Sequence, residues 1–200
     1  QRDIVNKHRK EVYDSRKLYN STSEWNSMYF KDNLLTFIWD KYQDYSLSTI
    51  ILEEKHSTIT RFDNEIIKAY ELQAFDLLNV YRLRNGQNSL KWHDKLSKAA
   101  LYHSNDMAEN NFYSHISSNG DIFRDRINRF INDSDLAIGE NIHMGDLNYL
   151  NALISMGALY NSGGHRNNIL DSDYEFVGIG VIFKLEKNKG TMYITQNFIS

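Results

Sequence analysis

The sequence predicts an α+β fold in which helices are laid on an antiparallel sheet, and three observations predict it. Helical periodicity dominates the middle of the chain, from about Asn64 to Tyr160. Two-residue alternation is concentrated near the end, in Val177 to Phe183 and Thr191 to Ile199. Short apolar runs ahead of Phe62 have the spacing of hairpin-linked strands. Helices gathered ahead of strands, rather than alternating with them, point to segregated layers and not to a parallel α/β sheet.

Composition sets the limits. Two hundred residues, 41% hydrophobic and 24% charged, make one ordinary domain with an appendage and a packed core. The net charge is -3 and no block of like charges occurs, so nucleic acid and an anionic membrane surface are excluded as expected partners. No segment approaches the roughly eighteen apolar residues of a transmembrane helix, and Gln1-Arg2-Asp3-Ile4 lacks the apolar core of a secretory signal. Cysteine is absent, which removes disulfides, thiolate metal sites and a cysteine nucleophile. Proline is absent too, so turns depend on Gly, Asn, Asp and Ser.

In chain order, residues 1–62 read as a small α+β extension: a charged helical segment at Arg2 to Tyr19, then strands at Ser27 to Phe30, Leu34 to Trp39 and Leu47 to Leu52. Residues 63–200 form the main domain. Ile66, Ile67, Tyr70, Ala74, Leu77, Leu78 and Tyr81 share one face of a helix from Asn64 to Leu83 that ends at Asn85-Gly86. A second helix runs from Lys95 to about Glu109, capped by Asp94, with Leu96, Ala99, Ala100, His103 and Met107 on one face. Asp121 to Ile131 is a third helix, basic on its outer face. Asp146 caps a fourth that reaches Tyr160 and is apolar nearly all round, the pattern of burial between layers. Val177 to Phe183, the turn at Lys187 to Gly190, and Thr191 to Ile199 make a hairpin. Gly178 and Gly180 leave one of its faces bare, so that a helix, the fourth being the simplest choice, can pack close.

Seven histidines are candidates for chemistry. His8, His56, His93 and His143 lack motif partners and read as surface or loop residues, and His103 reads as a hydrogen-bonded core histidine. His115, in Asn111 to His115, and His165, after Asn161-Ser162-Gly163-Gly164, lie in polar connections where functional side chains are commonly displayed. Gly163-Gly164 can take positive φ and turn the backbone sharply ahead of His165. Glu140 stands between Ile138-Gly139 and Asn141-Ile142, and a carboxylate among isoleucines needs a partner, for which an imidazole is suited. The three are separated by equal intervals of 25 positions. No single helix joins them, and spacing alone leaves open whether they share a site.

Leu78 to Arg84, Ser114-His115, Gly139 to Ile142, Asn161 to Leu170 and Val177 to Val181 follow one another in the order found in bacterial members of the CAP superfamily, the cysteine-rich secretory, antigen 5 and pathogenesis-related class. Over about Asn64 to Ser200 the chain resembles the SCP-like extracellular proteins of that class. The resemblance implies an α-β-α sandwich with a central antiparallel sheet, export to the bacterial cell surface or beyond, and a cleft holding His115, Glu140 and His165. In many eukaryotic relatives a second glutamate joins this set; Ser162 occupies the corresponding place here. Leu159 and Gly163 depart from the Trp and Pro common in bacterial relatives and reshape the cleft wall.

Three functions compete on these residues. In the first, the cleft binds a cell-envelope, lipid or protein ligand, with His115 and His165 holding a divalent metal such as Zn and Glu140 coordinating it or orienting an imidazole. In the second, the same groups activate water for metal-assisted hydrolysis of a peptide or cell-wall bond. Ser162 is the weaker nucleophile candidate, since no Gly-x-Ser-x-Gly elbow surrounds it. In the third, the polar groups only fix loops around the sheet, and the domain serves protein interaction.

Overall fold

The structure, a computed structural model, describes residues 25–30, 33–40, 42, 46–54, 62–133, 135–146, 152–186 and 189–200. The chain divides into two compact units, Gln1–Ile59 and Thr60–Ser200. In the first, β1 (Trp25–Phe30), β2 (Asn33–Asp40) and β3 (Ser46–Glu54) pair consecutively and antiparallel. The connections are too short for a crossover, so each strand turns back on the one before. Ile38 faces Thr49 while Trp39 faces Leu47, which places one extra residue of β3 in a bulge. These strands coincide with the apolar runs of the sequence. The helical segment expected at Arg2 to Tyr19, with His8, and the residue His56 lie outside the described residues.

The second unit runs α1 (Asn64–Arg84), β4 (Lys91–Trp92), α2 (Asp94–Asn110), α3 (Phe123–Asn128), β5 (Ile138–Asp146), α4 (Ala152–Asn161), α5 (Gly163–Leu170), β6 (Phe176–Glu186) and β7 (Lys189–Ile199). Its sheet has the order β4-β6-β7-β5 and is antiparallel apart from the two-residue β4–β6 pairing. Asp63 caps α1 by accepting from the Ile66 amide at 2.9 Å, and Gly86, at φ 74°, carries the chain away from its end. Tyr70, Ala74, Leu78 and Tyr81 of α1 and Ala152, Met156 and Leu159 of α4 pack on Val177, Ile179 and Val181 of β6. Ile66, placed on this face by the sequence, is exposed. On the opposite face of the sheet α2 sets Leu96, Ala99, Met107 and Ala108 against Ile142, Tyr193 and Ile199. Helices therefore cover both faces, as in an α-β-α sandwich, and each fully buried Leu or Met contributes about 1.5–3 kcal/mol.

Several local expectations are corrected. The helix against Gly178 and Gly180 is α2, not α4: a Cβ on Gly178 would meet the backbone at Leu96 and Ser97, and one on Gly180 the backbone at Ala100 and Leu101. The cap of α2 is His93, whose Nδ1 accepts from the Leu96 amide at 3.3 Å, because Asp94 is engaged by the indole of Trp92. The third helix is only Phe123–Asn128, and Arg126 points inward with no exposure, so its basic groups do not all face water.

Asp146 is the last residue of strand β5, and residues 147–151, between it and α4, lie outside the described ones. That strand escapes the hydrophobic alternation because polar side chains occupy both of its faces, Glu140 toward α2 and α3, Asn141 toward α5. Residues 163–170 are helical, and neither Gly163 nor Gly164 has positive φ, since two glycines are tolerated in a first turn whose amides lack intrahelical partners anyway.

The outer strands of this sheet are answered by side chains. Toward its open side β5 offers the carbonyls of Glu140 and Ile142, which accept from Asn168 Nδ2 at 3.2 Å and from the Tyr113 hydroxyl at 2.9 Å. Beyond β4, the Val181 amide of β6 donates to Glu71 Oε1 at 3.3 Å.

Candidate functional site

Glu140 is the base of the site. On β5 it faces the α2 and α3 side, and its side chain is 1% exposed. Desolvating a carboxylate so fully requires charge and hydrogen-bond partners for both oxygens. Oε1 lies 2.8 Å from His115 Nδ1, and Oε2 accepts from Arg126 Nη2 at 2.5 Å. Asn197, directly across the pair from Glu140 on β7, brings its side-chain nitrogen to 3.1 Å from Oε2 in the amide orientation that satisfies both of its ends.

The loop that carries His115 is built from the end of α2. Asn111 takes the left-handed conformation, φ 54°, and ends that helix. Below the loop, His103 Nε2 meets the Ser114 carbonyl at 2.8 Å, which confirms His103 as a bonded core residue. Arg126 Nη1 then donates to the carbonyls of His115 and Asp121, each at 3.0 Å, and to Ser117 Oγ at 3.1 Å. The imidazole of His115 stands above this support and is 49% exposed.

His165 reaches the same strand from the other face of the sheet. It sits on α5, which is tied to β5 by Asn141 Nδ2 donating to the His165 carbonyl at 3.2 Å and by Asn168 bonding the Asn141 side chain and the Glu140 backbone. The far end of α5 is held by buried Arg82, whose Nη1 donates to the Ile169 and Asp171 carbonyls at 2.8 and 2.7 Å. Arg166 lies over the Tyr160 ring at 3.8 Å, and that ring stacks on Tyr81. Burial, and secondarily the repulsion between its protonated form and a protonated His115, hold the His165 imidazole below its ordinary range, which favours its neutral form.

His143 is not a detached surface residue. It lies on β5 two positions beyond Asn141, and burial, with repulsion from His165, pushes its pKa down to about 4. His165 thus lies within electrostatic reach of His115 and of His143 on β5, the outer strand of the sheet. Sequence reasoning missed His143, Asn141, Asn168 and above all Arg126. The demand of a buried carboxylate for a cation was the available signal, but nothing in the spacing chose among the arginines.

Ser162 is the residue before α5 and its hydroxyl makes no capping bond; its carbonyl accepts from the Arg166 amide. As for a metal, both Glu140 oxygens are engaged, and among the described residues no group of three or more His, Asp or Glu gathers as metal ligands. Two imidazoles would furnish half of the four-ligand shell of zinc. The donor set does not fit a closed site. No helix among the described residues is long and apolar enough to cross a membrane.

Comparison with known proteins places this geometry. The pattern of the CAP, or cysteine-rich secretory protein, family matches residues 75–198. Over 129 residues the chain is 39% identical to the "uncharacterized membrane protein YlbC" of Bacillus subtilis, covering 64% of this chain and 34% of that protein. Over 146 residues it is 32% identical to the "uncharacterized protein YkwD" of the same organism, with 73% and 52% covered. It thus spans between a third and about half of the length of these relatives. The crystal structure of an extracellular protein containing an SCP domain from Bacillus anthracis superposes with a TM-score of 0.72 at 24% identity, over 88% of this chain and 59% of that one. That likeness is one of fold.

Proposed function

The chain belongs to the cysteine-rich secretory protein family, and from that premise we propose that it acts outside the bacterial cytoplasm as a binding module, receiving a cell-envelope component at His115 and His165 above Glu140. The observation that carries this reading is the 2.8 Å contact between His115 Nδ1 and Glu140 Oε1. A carboxylate only accepts, so Nδ1 carries a proton, and in the neutral ring Nε2 is left as an acceptor on a half-exposed side chain. The neutral imidazole of His165 adds a second acceptor nitrogen. Acceptors of this kind suit ligands rich in hydroxyl and amide donors, the chemistry of glycan and peptide polymers. Tyr113 and Ile116, 47% and 53% exposed on either side of His115 in sequence, supply apolar contact beside them. The extracellular description of the Bacillus anthracis protein supports the placement outside the cytoplasm.

Hydrolysis is the weaker reading, because the carboxylate that would serve as base already has both oxygens bonded. The test is sedimentation with insoluble peptidoglycan. The wild-type chain is expected to co-sediment, and the His115→Ala, His165→Ala double variant to bind about tenfold more weakly, a loss of about 1.4 kcal/mol. Equal binding by the two would overturn the proposal. Calorimetric titration of both proteins with zinc chloride, after metal stripping, decides whether a divalent metal takes part: heat present in the wild type and absent in the double variant assigns it to these imidazoles. Soluble fragments released by the wild type alone would replace binding with hydrolysis.

A further inference from the structure

One buried charge has no part in the binding reading. Arg126 has no exposed side-chain surface, yet its guanidinium spans two things at once. Nη2 holds Glu140 Oε2 at 2.5 Å, while Nη1 holds the carbonyl of His115 itself, together with Ser117 Oγ and the Asp121 carbonyl. We infer that Arg126 is a positioning residue which, acting through Glu140, fixes which nitrogen of His115 faces solvent. The consequence for ligand capture rests on the binding reading above, whereas the tautomer is a property of the free protein.

The chemistry follows from what each group can do. A guanidinium has five N–H donors, no acceptor and a permanent charge. The Glu140 oxygen against it is confined to accepting, and a carboxylate so paired keeps its negative charge in a nearly waterless place. Its second oxygen accepts as well, which obliges His115 Nδ1 to carry a proton, so that in the neutral ring Nε2 is the bare nitrogen. Among the described residues Arg126 is the one arginine or lysine in an ion pair with Glu140; the nearby His103 is kept toward its neutral form chiefly by burial. Take the guanidinium away, and a carboxyl group with 1% exposure is relieved by holding a proton. That acid would donate to Nδ1, and the ring would turn an N–H outward. The exposed nitrogen would change from acceptor to donor while every atom stayed close to its place.

Long-range ¹H–¹⁵N correlation of the histidine side chains, in the full chain near pH 8, reads this directly. The His115 signals are identified by their loss in His115→Gln. The wild type is expected to show Nδ1 protonated and Nε2 free. Arg126→Met is expected to move His115 toward the Nε2–H form, Arg126→Lys to restore the wild-type pattern by returning the charge, and His93, whose Nδ1 caps α2 by accepting from the Leu96 amide, to stay unchanged as evidence of an intact fold. Should Arg126→Met not fold, Arg126→Gln removes the charge and keeps donors for the loop carbonyls. A wild-type His115 in the Nε2–H form overturns the inference, as does a folded charge-removing variant with the wild-type pattern. If the tautomer follows Arg126 but His115→Ala sediments with peptidoglycan as the wild type does, the positioning role stands and the binding reading falls.

Discussion

At the scale of single residues, the closest fit in the domain is between β6 and α2. Gly180 lies under the backbone of Ala100 and Leu101, and a side-chain carbon there would overlap main chain, which cannot rotate aside. Gly180→Ala is expected to destabilise the domain by at least about 2 kcal/mol, at the upper part of the usual range for overpacking, and urea denaturation against wild type measures it. The bare face of the strand was legible because two glycines alternate with apolar residues; the identity of the helix above it was not, because any apolar helix satisfies that pattern. Glu140 was legible in the same partial way. Its need for a partner is local chemistry, and the imidazole of His115 answers it, but the second answer comes from Arg126, 14 positions away and facing inward from a six-residue helix too short to show periodicity.

At the scale of elements, α5 gives the clearest case of tertiary contacts overriding local preference. Its first two residues are glycines and its sequence has little apolar periodicity, so nothing local announces a helix. What holds it is Arg82, which donates from Nε to the Asn88 carbonyl at 2.6 Å and from Nη1 to two carbonyls at the far end of α5. Positive charge at a helix C-terminus also opposes the helix dipole favourably. Arg82→Met should therefore cost about 2–5 kcal/mol, since it strands three carbonyls near or within the core. Hydrogen exchange should show the loss first in the amides of α5 and last in those of β7. Uniform loss across the sheet would mean that Arg82 serves the whole fold and not this helix. The long amphipathic helices α1 and α2 were readable to within a residue or two because their apolar faces repeat for four turns or more, whereas β5, polar on both faces, offered no such repeat.

At the scale of the whole molecule, the buried His103 and the half-buried His143 and His165 set the response to acid. Burial holds His103, His143 and His165 below their ordinary value, His143 down to about 4. Each is freer to bind a proton when the chain is unfolded, so their stabilising effect is complete above about pH 6.5 and is lost as pH falls below that value. The slope approaches about 1.4 kcal/mol per pH unit for each histidine involved. Glu71, raised by burial, works in the opposite sense at lower pH, where the folded state binds the extra proton. Urea midpoints at pH 7, 6 and 5 are expected to fall in that order, and a flat profile would contradict the assignment of neutral imidazoles. The layered architecture itself was legible from the order of helical and alternating segments. How the layers meet at the edge of β5 was not, because it depends on side chains from both faces of the sheet. That edge has a further effect at high concentration. A second molecule seeking to extend the sheet from β5 or β6 finds Tyr113, Asn168 and Glu71 already bonded to backbone groups it would need. Zipping of one copy onto the next, the first step toward fibrils, must begin by breaking those bonds, so crowding favours separate molecules.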